Sequence, residues 1–336
     1  MIQAKKASYE LYPLLTQRIV QGERGLIPGR AAKSLTERAL LQHFAKRNPG
    51  FANDHGFYIM AEEKYLKAND IQVIFPDTTI VLDNLLRAKF NITSHEGFDL
   101  PFGSFILAMP RGYTYQGRRL PSLMVTWIPG PSYASSILLP FIQELAIPET
   151  KVRFSDLPNM GLMSIVYLDP QTPNARSRSI IYGEDLPHLL RANTPQQYHE
   201  AMVKLKILKD SDSMDEEEAA LQFYSMRLVA SMGVYHLATE GKYLHAGFPT
   251  PKPPKMEGKR PEHNVAPMTL TSRLSDGVDA QGSATGGYRS WHIRQLRDER
   301  YYRGEYEKLA PGSRYVFIPE TFVNLDATPN TQVGRF

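Results

Sequence analysis

The sequence predicts an α+β fold: a mixed helical body with a central, mainly antiparallel sheet, then a Pro/Lys-rich arm and a C-terminal helix-turn-strand tail. Three observations carry this reading. Helical periodicity comes first, a block of strand-like apolar runs follows, and helices return, a segregated order that belongs to α+β rather than to alternating βαβ units. Residues 219–238 are apolar nearly all round, as a helix inside a core is. Beyond them Pro249, Pro251, Pro253, Pro254 and Pro261 stand among Lys252, Lys255, Lys259 and Arg260, a composition that favours extended polyproline II geometry. The expected units are a body over 1–247, an arm over 248–287 and a basic-aromatic tail over 288–336.

Length and composition suit such a body. A chain of 336 residues, 42% hydrophobic and 22% charged, has ample apolar surface for one large or two ordinary domains. A formal charge of +4 is compatible with nucleic acid or an acidic partner without demanding either. The absence of cysteine removes disulfides, thiolate nucleophiles and zinc–sulfur sites. The opening residues lack the apolar core of a secretory signal, and no stretch is apolar and long enough to span a bilayer. The expected location is the cytoplasm, with no membrane partner.

Taken in order, residues 5–21 set Leu11, Leu15 and Ile19 on one helical face. Ser34-Leu-Thr-Glu37 reads as a capping box for a helix whose stripe is Leu40, Leu41, Phe44 and Ala45 and whose end is Asn48-Pro49-Gly50. A short helix over 61–68 and a strand over 71–75 follow. Pro76 and Asp77 suit the first turn of a helix running to about Phe90. Residues 101–110 and 122–128 read as paired strands around the loop 111–121, with further strands at 161–168 and 179–182. Helices resume at 195–208 and 215–242. Ser275–Gly287 is small, polar and flexible in composition.

Several catalytic patterns are approached and not completed. His199-Glu200 opens like a zinc-protease helix, but Val203 stands where the second histidine is needed. His95-Glu96-Gly97-Phe98-Asp99 places a carboxylate at ligand spacing, yet Gly97 and Pro101 oppose the helix that would align it. Gly112 to Gly117 has phosphate-loop spacing but is followed by Arg118 and Arg119, not Lys and Ser/Thr, and reads as a hairpin loop between strands. No G-x-S-x-G elbow occurs. The acidic residues Asp215 to Glu218 fit a first helical turn, where carboxylates offset the dipole. No metal, cofactor or catalytic residue is assigned.

The tail mixes His292, Arg294, Arg297, Arg300 and Arg303 with Trp291, Tyr301, Tyr302 and Tyr306, then runs into an apolar strand at Tyr315 to Ile318 stopped by Pro319. Arginines can grip phosphates while rings stack on bases. Asp298, Glu299, Glu305 and Glu307 largely cancel those arginines, as on a solvated helix with Asp298/Glu299 reaching Arg303. Gly304 and Pro311-Gly312 would end that helix. Docking on the body, binding, and acid–base cleavage of RNA by His292 all stay open on these residues alone.

His292-Ile293-Arg294, six residues, then Tyr301-Tyr302-Arg303-Gly304, and finally Phe317-Ile-Pro319-Glu-Thr-Phe322-Val323-Asn324, form a signature. It resembles that of a family of phage- and plasmid-encoded proteins that includes the type V-A anti-CRISPR which lowers production of the CRISPR nuclease. The detailed similarity covers roughly the last 40 residues and a looser one about the last third. Where many relatives carry Arg-Gly-His, this chain has Gln295, Leu296 and Arg297. The resemblance implies a mobile-element anti-defence protein. It would bind the nascent N-terminal segment of a target, a CRISPR nuclease or another host protein, and cause decay of the message being translated. Ribosome or mRNA are the further partners implied.

The combined reading is a non-enzymatic binding protein. Its binding residues are His292, Arg294, Arg297, Tyr301, Tyr302, Arg303, Gly304, Phe317 and Pro319, and the body would hold a target peptide at a sheet edge near 102–128. The alternative is an RNA-binding protein or ribonuclease acting through the same tail; a virion or plasmid-maintenance role has no specific support.

Overall fold

Strands buried on every residue are covered on both faces, and the computed structural model is built around such strands, Ser104–Leu107 and Leu123–Ile128 among them. The structure describes residues 8–28, 34–68, 70–90, 92, 98–129, 132–148, 161–168, 176–208, 214–250, 253, 255–257, 265–271, 286–289, 291–318 and 321–324. In chain order, β1 (Ser8–Glu10) leads to α1 (Leu15–Leu26), α2 (Glu37–Arg47), α3 (His55–Ala68), β2 (Ile71–Pro76) and α4 (Thr79–Arg87). Then come β3 (Ser104–Leu107), β4 (Met109–Pro110), the small ribbon β5 (Thr114–Tyr115) and β6 (Arg118–Arg119), and β7 (Leu123–Ile128). A π turn over Ala134–Leu138 runs into α5 (Leu139–Leu145), followed by β8 (Leu162–Leu168) and β9 (Arg176–Tyr182). Helices α6 (Leu186–Leu189), α7 (Pro195–Lys204) and α8 (Glu216–Ala238) precede β10 (Leu244–Ala246), β11 (Lys255–Glu257) and β12 (Val265–Leu270). The chain closes with β13 (Gly286–Arg289), β14 (His292–Leu296), β15 (Arg314–Ile318) and β16 (Thr321–Asn324).

The central sheet has seven strands in the order β10-β12-β2-β3-β7-β8-β9. The β12–β2 and β2–β3 pairs are parallel and the other four antiparallel, so the fold is α+β with a mainly antiparallel sheet. Side chains alternate between two cores, as the pleat requires. Leu123, Val125 and Trp127 of β7 join α4, α7 and α8 on one face. Met124 and Ile128 join α1, α2, α3 and α5 on the other. No described helix is long and apolar enough to cross a membrane.

Several elements differ from the sequence expectation. The helix expected over 5–21 starts only at Leu15, and Ser8–Glu10 is a strand beside β4 and β11. Pro13 lacks the N–H that a helix interior needs. Tyr9 is buried and its hydroxyl donates to the Pro76 carbonyl at 2.5 Å. The cap of α2 is Thr36, accepting from Ala39 N at 3.2 Å, not Ser34. The helix read over 61–68 begins at His55. Pro76 ends β2 rather than opening α4. Residues 265–270, expected in the irregular arm, form a strand inside the sheet, between β10 and β2. Pro267 is tolerated there because its missing N–H falls opposite Gly247, where β10 has ended. Strands β3 and β7, within the stretch near 102–128 expected to offer a peptide-binding edge, are interior to the seven-stranded sheet.

Two consecutive buried glutamates on α3 tie the helical layer to its surroundings. Glu63 stands where α1 lacks a capping side chain: its carboxylate accepts from Leu15 N at 2.6 Å, Thr16 N at 2.8 Å, Thr16 Oγ1 at 2.7 Å and Tyr12 Oη at 3.1 Å. Burial raises its pKa, and the donors at Thr16 and Leu15 pull it back only in part. Glu62 faces the sheet, where it meets Arg178 Nη2 and Tyr133 Oη at 2.5 Å each and Ser164 Oγ at 2.8 Å. Burial pushes the Arg178 guanidinium toward neutrality, and Glu62, Tyr133 and Tyr58 together more than offset this, so its pKa is raised. Replacing one member leaves the other charge buried and alone. Arg178→Met is expected to lose about 3–5 kcal/mol in urea denaturation, and Glu62→Leu/Arg178→Met to recover more than half of that loss. A loss below about 1 kcal/mol in the single variant contradicts an ionised pair.

Candidate binding face of the C-terminal hairpin

The segment from Trp291 to Leu296 alternates by twos at its start: Trp291 and Ile293 are buried, His292 and Arg294 exposed. That period is a strand's, not a helix's. Accordingly 292–296 is β14, paired antiparallel with β15, and the helix expected across Asp298 to Arg303 is replaced by two 3₁₀ turns, Glu299–Tyr301 and Gly304–Tyr306. The tail is a hairpin, not a helix-turn-strand unit. Gly304 opens the second turn at φ +63°, a backbone region open to glycine at little cost.

Register explains why two separated parts of the signature belong together. His292 faces Ile318, Ile293 faces Phe317 and Arg294 faces Val316. The same offset carries Gly286 onto Asn324 and Arg289 onto Thr321, so β13 and β16 continue the register of β14 and β15. The two halves of the signature are therefore cross-strand neighbours.

The inner face of the hairpin is clamped to the body. Phe317 lies 5.4 Å from Tyr235 of α8, 5.0 Å from Tyr243 and 5.5 Å from Trp291, centroid to centroid. Trp291 in turn lies 5.1 Å from Tyr235. These four rings, with Phe317 and Tyr235 each touching the other three, give both apolar burial and favourable tilted or edge geometries. Tyr235 is fixed from its other end, its hydroxyl donating to the Thr271 carbonyl at 2.8 Å.

The connection between the strands is fixed by Tyr302. Its buried hydroxyl donates to the Leu296 carbonyl at 2.6 Å and accepts from Gly312 N at 2.7 Å and Arg314 N at 3.1 Å. Arg314 covers the Tyr306 ring at 3.3 Å and donates to the Tyr301 carbonyl at 2.5 Å. Arg300 covers Tyr301 at 4.8 Å and donates to its hydroxyl at 2.9 Å.

The predicted site residues thus divide. Phe317 is an anchor and Tyr302 a post; Gly304 shapes the turn. His292, Arg294, Arg297 and Arg303 are exposed, and Tyr301 is half-buried. Arg297 Nε donates to Gln295 Oε1 at 3.1 Å. Arg294 and Arg303 enter no ion pair among the described residues. Pro319 lies outside the described residues. His292 and Arg294 share the hairpin's outer face with the half-buried Val316 and Ile318, so that face offers two cationic or polar donors beside apolar contact area. Tyr235 and Tyr243 were not read as partners of the tail. The one sequence signal was a tyrosine–histidine pair near the end of an otherwise apolar helix.

The refused motifs have ordinary structural places. Gly112 and Gly117 adopt positive φ in the turns around β5 and β6, while Arg118 pairs with Glu216 and Arg119 with Glu10, each at 2.7 Å. His95 lies outside the described residues. Comparison with known proteins gave no match: no family model, no curated protein and no solved structure is similar to the chain.

Two outcomes follow from this geometry. Tyr302→Phe removes a buried hydroxyl with three partners, and should cost about 1–3 kcal/mol in chemical denaturation; a loss below about 0.5 kcal/mol contradicts its role as the post. His236, half-buried beside the ring cluster on α8, has its pKa lowered by burial, with Asp99 acting the other way. A depressed histidine contributes stability that is present above its unfolded value near 6.5 and lost as pH falls through the folded value. The melting-temperature gap between wild type and His236→Gln should therefore shrink from about pH 8 to about pH 5. A constant gap contradicts the assignment.

Proposed function

We propose that the protein is a non-enzymatic, polypeptide-binding anti-defence factor of a mobile element, lowering production of the target whose nascent N-terminal segment it recognises. The observation that supports this is the outer face of the clamped hairpin. His292 and Arg294 stand exposed on a strand whose other side is locked against α8 by Trp291 and Phe317. A rigid support for exposed donors lowers the entropic cost of ordering them on binding. Val316 and Ile318 on the same face supply apolar contact, which suits a peptide with acidic and aliphatic side chains. The resemblance in the signature supplies the anti-defence and message-decay part of the reading.

The RNA-binding alternative draws on the exposed arginines, Arg294, Arg297 and Arg303. Single-strand binding also needs ring faces on which bases can stack. Here the rings of Tyr301 and Tyr306 each carry a guanidinium already, and Tyr302 is buried. Asp298, Glu299, Glu305 and Glu307 lie in the same connection and repel phosphate. The polypeptide reading is the better fit.

The test is affinity capture of the tagged protein from translating bacterial lysate, with and without RNase, beside Arg294→Glu and His292→Ala. Capture of one polypeptide's N-terminal fragments should survive RNase and fall about tenfold or more in Arg294→Glu, with the melting temperature unchanged. RNA recovered broadly, lost with RNase and falling steeply with added salt, would overturn the polypeptide reading in favour of phosphate binding.

A further inference from the structure

Neither β14 nor β15 contains a carboxylate. Their histidine and two arginines fall on one face of the ladder, since His292 is opposite Ile318, Arg294 opposite Val316 and Arg314 opposite Leu296. Arg314 is half-buried and engaged with the Tyr306 ring and the Tyr301 carbonyl. His292 and Arg294 are exposed, and Arg294 enters no ion pair among the described residues. Carboxylates begin beyond Leu296, in the connection, where Asp298 lies 3.5 Å from Arg300 and Glu305 is bonded to the Tyr306 hydroxyl.

The strand sets the distance between the two exposed donors. Side chains two residues apart on one face of a strand are separated by about 7 Å along its axis. An extended partner repeats that distance between its own alternate side chains, so its groups meet His292 and Arg294 in step. A guanidinium takes a carboxylate through two parallel hydrogen bonds. One exposed ion pair contributes little by itself, so a partner gains from this face only when a second acceptor reaches the His292 ring and its side-chain stems rest on Val316 and Ile318.

We propose that this face recognises an extended acidic segment whose carboxylate side chains stand two residues apart, one on Arg294 and the next on His292. Charge complementarity selects the occupant: an exposed guanidinium without an acidic partner, on strands without a carboxylate, beside aliphatic side chains that take the methylenes of glutamate. The spacing selects among acidic segments, because carboxylates on adjacent residues of an extended chain point to opposite sides and reach only one of the two donors. This inference rests on the polypeptide-binding reading of the hairpin and adds to it the order of side chains that the target carries.

Fluorescence anisotropy of short peptides with a neutral dye, titrated with the full chain at low ionic strength, tests it. The probes are alternating Glu-Thr-Glu-Thr-Glu-Thr, a block peptide Glu-Glu-Glu-Thr-Thr-Thr of the same composition, and alternating Gln-Thr and Lys-Thr. The alternating glutamate peptide should bind about tenfold or more tightly than the block and the glutamine peptides. Arg294→Glu, with its melting temperature unchanged, should lose that binding about tenfold and gain affinity for the alternating lysine peptide. Equal binding of the alternating and block peptides reports net charge alone and overturns the proposal. Failure of the alternating glutamate peptide to bind, or binding indifferent to Arg294→Glu, overturns it as well. In those cases RNase-resistant capture of one polypeptide that is lost in Arg294→Glu still upholds the polypeptide reading, so the two failures are told apart.

Discussion

Most of the structure depends on burying α8. This helix runs from Glu216 to Ala238, and fifteen consecutive or near-consecutive positions from Ala219 to Tyr235 are buried. It cannot be a surface helix, so sheet, neighbouring helices and tail must together surround it. Gly233 records how close that enclosure is: a Cβ there would come within 2.8 Å of the Asp99 carbonyl and of the Phe98 ring. At its N-terminal end Asp215 caps the helix, accepting from Glu218 N at 2.7 Å, with three glutamates in the first turn. At the other end, Tyr235 receives the hairpin. The tail is thus not an appendage with its own stability; it completes the cover of a helix that water must not reach.

A second constraint comes from adjacent carboxylates. Successive residues on a helix point about 100° apart, so Glu62 and Glu63 cannot serve one site. Glu63 replaces a missing cap on α1, and Glu62 reaches across to β8 and β9 through Ser164 and Arg178. Both carboxylates are desolvated, and each is stabilised by several donors instead of water. The consequence for function is indirect but specific: the Arg178 pair fixes the outermost strand of the sheet to an interior helix.

The sequence was most legible where one local rule acted alone. Apolar runs located β2, β3, β7, β8 and β9, and the all-round apolar pattern located α8. It was least legible where a distant residue supplied what local sequence lacked. Leu14 offers no cap, so only the buried Glu63, nearly fifty positions away, explains the start of α1. Residues 265–270 sit after a proline- and lysine-rich stretch, yet Ile71 to Pro76 recruits them as a parallel neighbour, and no local pattern announces that. In the tail, the arginine and glutamate spacing imitated a helix with ion pairs. The decisive signal was the shorter period of Trp291, His292, Ile293 and Arg294, whose apolar members had to face Tyr235. The sequence offers the candidate site residues as one list, whereas the hairpin sorts them into anchors and exposed donors.

That sorting matters for what the exposed residues can do. An arginine on a frayed terminal segment would lose much of its binding energy to ordering, both of its own side chain and of the backbone beneath it. Here the backbone of Arg294 is already ordered by β15, and β15 is ordered by Phe317 among Tyr235, Tyr243 and Trp291. The connection is ordered in turn by one hydroxyl, that of Tyr302, and by guanidinium groups resting on Tyr301 and Tyr306. Aromatic residues that look like a contact surface in the sequence are consumed in building the support, and the few side chains left over are what a partner can touch. What the hairpin leaves on its outer face is His292 and Arg294, exposed, beside the half-buried aliphatic pair Val316 and Ile318, and it is on this small face that the proposed polypeptide recognition rests.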